Sequence, residues 1–102
     1  MINVVASIRV KTGKLSDYLS ILKANMRVVQ KEKGCIEYIP TIDVDTKLPP
    51  QVLDKNCVTL LEKWESLEAL HAHLEAPHML DYREKVKDLV ESVTLKVLQE
   101  VK

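Results

Sequence analysis

The spacing of apolar residues changes several times along this chain, and that succession restricts the fold more than any single motif does. Apolar residues alternate from Ile2 to Val10, which predicts a strand with one buried face. They then recur every three or four positions over residues 15–33, which predicts an amphipathic helix that Gly34 can end in a left-handed conformation. A second strand follows Gly34, with Ile36, Tyr38, Ile42 and Val44 predicted on its inner side. Pro40 should place this strand at a sheet edge or a bulge because proline cannot donate a ladder hydrogen bond.

The second half of the chain repeats this succession after a long connection over residues 43–56, which we interpret as a functional or interface arm. A third strand is predicted over residues 57–65, with Val58, Leu60, Glu62 and Trp64 on one side. Ser66 can cap a short helix over residues 67–74, and Pro77 can begin another helix. A last strand carries Val93, Leu95 and Val97 in alternation.

The order strand, helix, strand, strand, helix, strand predicts an α+β fold of the ferredoxin-like βαββαβ type, with a four-stranded antiparallel sheet. The 102 residues suffice for one domain, which we assign to residues 1–102. Helices on one face leave the other sheet face bare, and two such faces can pair about a two-fold axis as a dimeric α+β barrel. We therefore expect a homodimer.

The charge pattern argues against a nucleic-acid partner, and the hydropathy pattern argues against a membrane-spanning segment. Fifteen basic and fifteen acidic residues cancel and are interspersed, so no basic surface for nucleic acid is predicted. No segment approaches the ~20 apolar residues of a membrane span. The N-terminus also lacks the basic region and apolar run of an export signal, so we expect a cytoplasmic location.

The segment EKWESLEALHAHLEAPHML contains the only tryptophan, Trp64, and all three histidines. His71 and His73 are two residues apart and point in nearly opposite directions from a helix, and no HExxH or Cys/His pattern is present, so no metal site is predicted. Each histidine is a candidate proton acceptor near neutral pH or a structural residue. Helical periodicity places His71, rather than His73, nearer the predicted buried stripe of Leu67, Leu70 and Leu74.

Trp64 can be either a core anchor or part of a binding site. It shares a strand side with Glu62, and Tyr38 occupies an inner position on the preceding strand. An aromatic surface with a few polar groups can therefore form beneath the helices, as is typical of small-molecule sites. The chain has only two glycines and no glycine-rich phosphate loop, so no nucleotide or nicotinamide cofactor is predicted.

Two runs, EKGCIEYIPTID and LLEKWESLEALHAHLEAPHMLDYREKVKDLVE, resemble the antibiotic biosynthesis monooxygenase family. The similarity extends over nearly the whole chain, and its specific part is the tryptophan, the proline and two of the histidines, His73 and His78, of the second run. The resemblance implies a dimeric α+β barrel that oxidises quinols or other electron-rich aromatic compounds with molecular oxygen. It also implies that the reaction proceeds without flavin, haem or metal.

At matching positions, the resemblance makes Trp64 a platform for the aromatic substrate and makes His73 and His78 the catalytic polar groups nearest to it. Tyr38 and Arg83 are predicted as further substrate-binding residues. This assignment prefers His73 to His71, against the periodicity, because a helix broken by proline makes helical angles a poor guide.

The leading hypothesis is thus a cofactor-independent monooxygenase or oxidase of quinols or related hydroxyarenes, in which a histidine deprotonates the substrate. Its partners would be a small aromatic substrate, O2 and a second copy of the chain. Two alternatives stay open: a non-catalytic dimeric module that binds an aromatic ligand, and an isomerase built on the same fold.

Overall fold

The computed structural model describes residues 1–102 as a four-stranded antiparallel sheet with three helices packed on one face. The elements are β1 (Ile2–Val10), α1 (Leu15–Val29), β2 (Cys35–Ile42), β3 (Cys57–Trp64), α2 (Leu67–Glu75), α3 (Pro77–Val86) and β4 (Val90–Leu98). The strand order is β2-β3-β1-β4, and every neighbouring pair is antiparallel. The predicted α+β ferredoxin-like fold is confirmed, and its second helical segment consists of two helices, α2 and α3, as the sequence predicts.

The hydrophobic core lies between the helices and one side of the sheet. The two central strands contribute the alternating residues Val4, Ala6, Ile8, Val10, Val58 and Leu60, all buried. The helices contribute Tyr18, Leu22 and Val29 from α1 and Met79, Tyr82 and Val86 from α3. The core thus forms where the alternating apolar residues of the strands meet the apolar faces of the helices, as the sequence predicts.

The first helix is shorter than predicted and ends at Val29, because residues 30–34 form turns instead of continuing it. Gly34 has a φ of +86°, as the prediction requires, although it lies beyond the helix end. A Cβ atom at this position would lie 2.5 Å from Cβ of Ala69 on α2, so glycine is also needed for the close approach of the two segments. No helix combines the length and the apolar surface needed to cross a membrane.

The second strand lies at a sheet edge, which confirms the position predicted for Pro40. The prediction of which β2 residues face inward was partly wrong. The pairing register with β3 shifts between Cys35 and Glu37, and Ile36 is exposed while Tyr38 is buried. The strand also ends at Ile42, so the connection to β3 begins directly after it.

The junction of α2 and α3 brings distant side chains together. The Ser66 hydroxyl caps α2 by accepting a hydrogen bond from the backbone N–H of Ala69 at 3.1 Å. Ala76 is extended, with a ψ of 142°, and Pro77 begins α3 as predicted. The chain therefore turns sharply between His73 and His78, which changes the direction in which the second histidine points.

Candidate active site

A single carboxylate joins the two histidines that the sequence predicts as catalytic. Glu32 lies in the turns after α1, His73 in the last turn of α2 and His78 in the first turn of α3. His73 Nδ1 and His78 Nε2 each lie 2.8 Å from the same oxygen, Oε2 of Glu32. The site is therefore assembled from three elements, and its central residue was not among the predicted ones.

His73 is almost fully enclosed, with 2% of its surface exposed. Its ring centroid lies 4.5 Å from that of Trp64 and 5.7 Å from that of Tyr38. Burial lowers the pKa of His73 below its ordinary value, although the hydrogen bond to Glu32 acts in the opposite direction. The imidazole is thus neutral at pH 7. A carboxylate can only accept, so Nδ1 carries the proton and Nε2 keeps a free lone pair.

His73 also lines a cavity of about 450 Å³ between the sheet and helices α2 and α3. The cavity walls are mainly apolar, and Tyr38, Glu62, Tyr82 and Arg83 are among the polar side chains that reach it. Nε2 of His73 has no hydrogen-bond partner in the protein, yet no side-chain nitrogen or oxygen is buried without one. Nε2 therefore keeps some accessible surface, and we infer that its lone pair faces the cavity that His73 lines.

Glu62 provides a second proton acceptor in the same cavity. It is 7% exposed, and its Oε1 accepts a hydrogen bond from Nε1 of Trp64 at 2.9 Å. Burial raises the pKa of Glu62 above its ordinary value, and the Trp64 hydrogen bond opposes this rise. Trp64 thus contacts both acceptors: its N–H holds the carboxylate and its ring packs against the imidazole.

The five predicted site residues fall into different places. Tyr38 and His73 line the cavity, as does Arg83, whose Nη2 donates to the backbone oxygen of Leu74 at 2.6 Å. Trp64 is fully buried and is not part of the cavity wall, so it supports His73 instead of offering a free face to a substrate. His78 lies outside this cavity and borders a groove between α1 and α3.

The periodicity argument for His71 was wrong, since His71 is exposed and His73 is buried. It centred the buried stripe of α2 partly on Leu67, which is 50% exposed, whereas the stripe follows Leu70 and His73. Glu32 was missed because it fell in the predicted helix over residues 15–33, among charged residues that are typical of a solvent-exposed helix end. The available signal was its place at the start of the run EKGCIEYIPTID.

The ionisation of Glu62 provides a test of this electrostatic description. Because the pKa of Glu62 is raised on folding, folding favours its neutral form, and ionisation lowers the free energy of unfolding as the pH rises above the ordinary pKa of 4.5. Glu62→Gln keeps an acceptor for Trp64 and removes the charge. We expect this variant to be more stable than the wild type at neutral pH, by on the order of 1 kcal/mol.

This gain should shrink as the pH falls through the raised pKa and past 4.5, because the wild-type carboxyl is protonated in both the folded and the unfolded state only below 4.5. Urea denaturation of both proteins at neutral pH and at pH 4.5 measures the difference. Glu65→Gln makes the same chemical change at an exposed position just beyond β3, and as the matched control it should change the free energy of unfolding by less than about 0.5 kcal/mol. If the free energies of unfolding of Glu62→Gln and the wild type differ by the same amount at both pH values, the pKa of Glu62 is not raised on folding, which would contradict this description.

Comparisons with known proteins agree with the resemblance of the two sequence runs. The profile of the family described as "Antibiotic biosynthesis monooxygenase" matches residues 1–85. The protein named "Probable quinol monooxygenase YgiN" from Escherichia coli K12 is 33% identical over 105 residues, which cover 97% of each chain. The protein of the same name from Shigella flexneri gives the same values.

Solved structures show the same architecture over nearly the whole chain. Rv0793 from Mycobacterium tuberculosis has a TM-score of 0.82 at 25% identity, with coverage of 99% of this chain and 95% of that one. SO0527 from Shewanella oneidensis has a TM-score of 0.81 at 26% identity, with coverage of 95% and 87%. The fold and the family resemblance inferred from the sequence are thereby confirmed.

Proposed function

The chain belongs to the antibiotic biosynthesis monooxygenase family, and from this premise we propose that it oxidises quinols or related electron-rich hydroxyarenes with O2 and without flavin, haem or metal. One observation carries the proposal: a neutral histidine directs a free lone pair into a mainly apolar cavity. The printed name of the E. coli relative, a quinol monooxygenase, supports the choice of substrate class.

The first step is the transfer of a phenolic proton from the substrate to Nε2 of His73. Glu32 accepts the Nδ1–H hydrogen bond, so it fixes the tautomer and stabilises the imidazolium that forms. The second hydroxyl of a quinol can donate to Glu62, which lines the same cavity. Two acceptors in one apolar cavity match the two hydroxyl groups of a quinol better than they match a monophenol.

The resulting quinolate anion is electron-rich and can reduce oxygen directly. If oxygen is only reduced, two electrons and two protons pass from the quinol to O2, and the products are a quinone and hydrogen peroxide. If oxygen is inserted, one oxygen atom enters the ring as a hydroxyl group and the other leaves as water, giving a hydroxyquinone. The apolar wall helps in both cases because it excludes water from the reactive anion.

The proposal is tested by measuring oxygen uptake with a reduced naphthoquinol. We expect the protein to consume O2 faster than the autoxidation of the quinol alone, with one O2 used per quinol, and product analysis then separates peroxide from hydroxyquinone. A protein that binds the quinol but leaves the autoxidation rate unchanged would contradict the enzyme proposal and would favour a ligand-binding module.

We also propose that the protein acts as a homodimer formed through the sheet face opposite the helices. On this face Val5 and Ile39 both pair with Leu61, so three apolar side chains lie in a row across three strands. Ile39 and Leu61 are 46% and 43% exposed in the single chain. A second copy would cover this row. Light scattering measures the molar mass, and a monomeric mass at micromolar concentration would exclude this pairing.

A further inference from the structure

The cluster of Glu32, His73 and His78 has more donor atoms than a base and its orienting carboxylate need. His73 Nδ1, His78 Nε2 and one Glu32 oxygen all lie within 4.8 Å of one another. Two imidazole nitrogens and one carboxylate oxygen form a ligand set that suits first-row transition ions. We propose that this cluster is a binding site for a divalent transition-metal ion of the Zn2+ class, and that the bound ion switches off the base His73.

The distances are compatible with such an ion after small side-chain rotations. Both imidazole nitrogens lie 2.8 Å from Oε2 of Glu32, held by hydrogen bonds. Ligand atoms bonded tetrahedrally to Zn2+ at about 2.0–2.1 Å lie roughly 3.3 Å apart, so each of these two pairs must open by about half an ångström. The two imidazole nitrogens lie within 4.8 Å of each other, so this third pair must close by at most about 1.5 Å. The side chains of Glu32 and His78 are 14% and 26% exposed, which leaves them room to move and gives an ion access from solvent.

The donor atoms of the cluster also select among cations, because two of them are imidazole nitrogens and one is a carboxylate oxygen. The ligand set prefers Zn2+, Co2+ or Ni2+ to Mg2+ or Ca2+, which favour sites made only of oxygen ligands.

The position of the cluster argues for an inhibitory ion and not for a catalytic one. Of its three residues, only His73 lines the cavity, and its Nδ1 faces Glu32 while its Nε2 faces the cavity. An ion bound to Nδ1 therefore lies behind the imidazole ring, out of reach of a substrate in the cavity. His78 borders the groove between α1 and α3, so the remaining coordination positions are reached from that side.

Binding has a direct chemical consequence for His73. A metal bond uses the lone pair of Nδ1, so the proton of the neutral ring must move to Nε2. Nε2 then donates a hydrogen bond instead of accepting a proton. This consequence rests on the proposed function, because it predicts that Zn2+ slows quinol oxidation. The binding site itself does not depend on that function.

Metal binding is tested first, without any assay of activity. Zn2+ is titrated into the protein by calorimetry, and Co2+ is followed by its visible absorption. We expect one ion per chain, and we expect Glu32→Gln and His78→Gln each to weaken binding at least tenfold. His71→Gln is the matched control, because this histidine is exposed and outside the cluster, and it should bind as the wild type does. Unchanged affinity in His78→Gln, or no binding at millimolar Zn2+, would overturn the proposal.

Oxygen uptake then tests the switch. Zn2+ should slow quinol oxidation by the wild type and by His71→Gln, and EDTA should restore both rates. Stoichiometric binding with no loss of rate would overturn the inhibitory role. If the protein binds Zn2+ but oxidises no quinol, the metal site stands and the proposed function is refuted. If it oxidises quinol but binds no Zn2+, the proposed function stands and the metal site is refuted.

Discussion

His73→Gln lowers kcat for quinol oxidation about 10²–10⁴-fold, the range that a positioned proton acceptor contributes. Glutamine retains polar atoms near Glu32, but its amide cannot take a proton at neutral pH. The loss should fall mainly on kcat, because Tyr38 and the apolar cavity wall still bind the substrate. Oxygen uptake at several quinol concentrations separates kcat from KM, and a thermal melt checks that the variant is folded.

His71→Gln makes the same chemical change two residues away at an exposed position, and its kcat should equal that of the wild type. Glu32→Gln is the intermediate case. It leaves His73 in place and removes the charge that stabilises the imidazolium, so it should retain more activity than His73→Gln. A folded His73→Gln protein with wild-type kcat would show that Nε2 is not the base and would direct attention to Glu62, the other acceptor in the cavity.

The fold could be predicted from the sequence because each element carries its own periodic signal. Alternation in β1 and β3 marked the buried side of the sheet, and Pro77 marked the start of α3. The errors occurred where the signal depends on neighbouring elements. Ile36 has the spacing of an inner residue, but a shift in the pairing of β2 with β3 turns it outward. The length of α1 was overestimated because charged residues after Val29 do not distinguish a helix from turns.

The site was harder to predict, because it depends on long-range contacts. The sequence and the family resemblance drew attention to His73 and Trp64, but no local pattern indicates that Glu32 contacts residues 41 and 46 positions further along the chain. For Trp64, the direction of the side chain could be predicted but its contacts could not. Its side of β3 was predicted correctly, yet only packing shows that the ring is covered by His73 and does not border the cavity. Side-chain direction can be inferred from a pattern, whereas the identity of the covering residue cannot.

Trp64→Ala is expected to destabilise the protein by about 3–5 kcal/mol, the usual cost of truncating a large buried aromatic residue. Trp64 is fully buried, and its loss leaves a void beside His73 and removes the hydrogen-bond donor of Glu62. Small domains have only about 5–15 kcal/mol of stability, so this variant should be close to unfolding. Urea denaturation followed by circular dichroism measures the loss.

Trp64→Phe separates packing from hydrogen bonding, because it restores much of the ring volume but leaves Glu62 without its partner. Its free energy of unfolding should lie between those of Trp64→Ala and the wild type. If Trp64 positions both proton acceptors, kcat of a folded Trp64→Phe protein should also fall, while KM changes little, because the residue does not line the cavity. Leu80→Ala, at a position 56% exposed, should cost less than about 1 kcal/mol. A similarly small cost for Trp64→Ala would contradict its role as the support of the site.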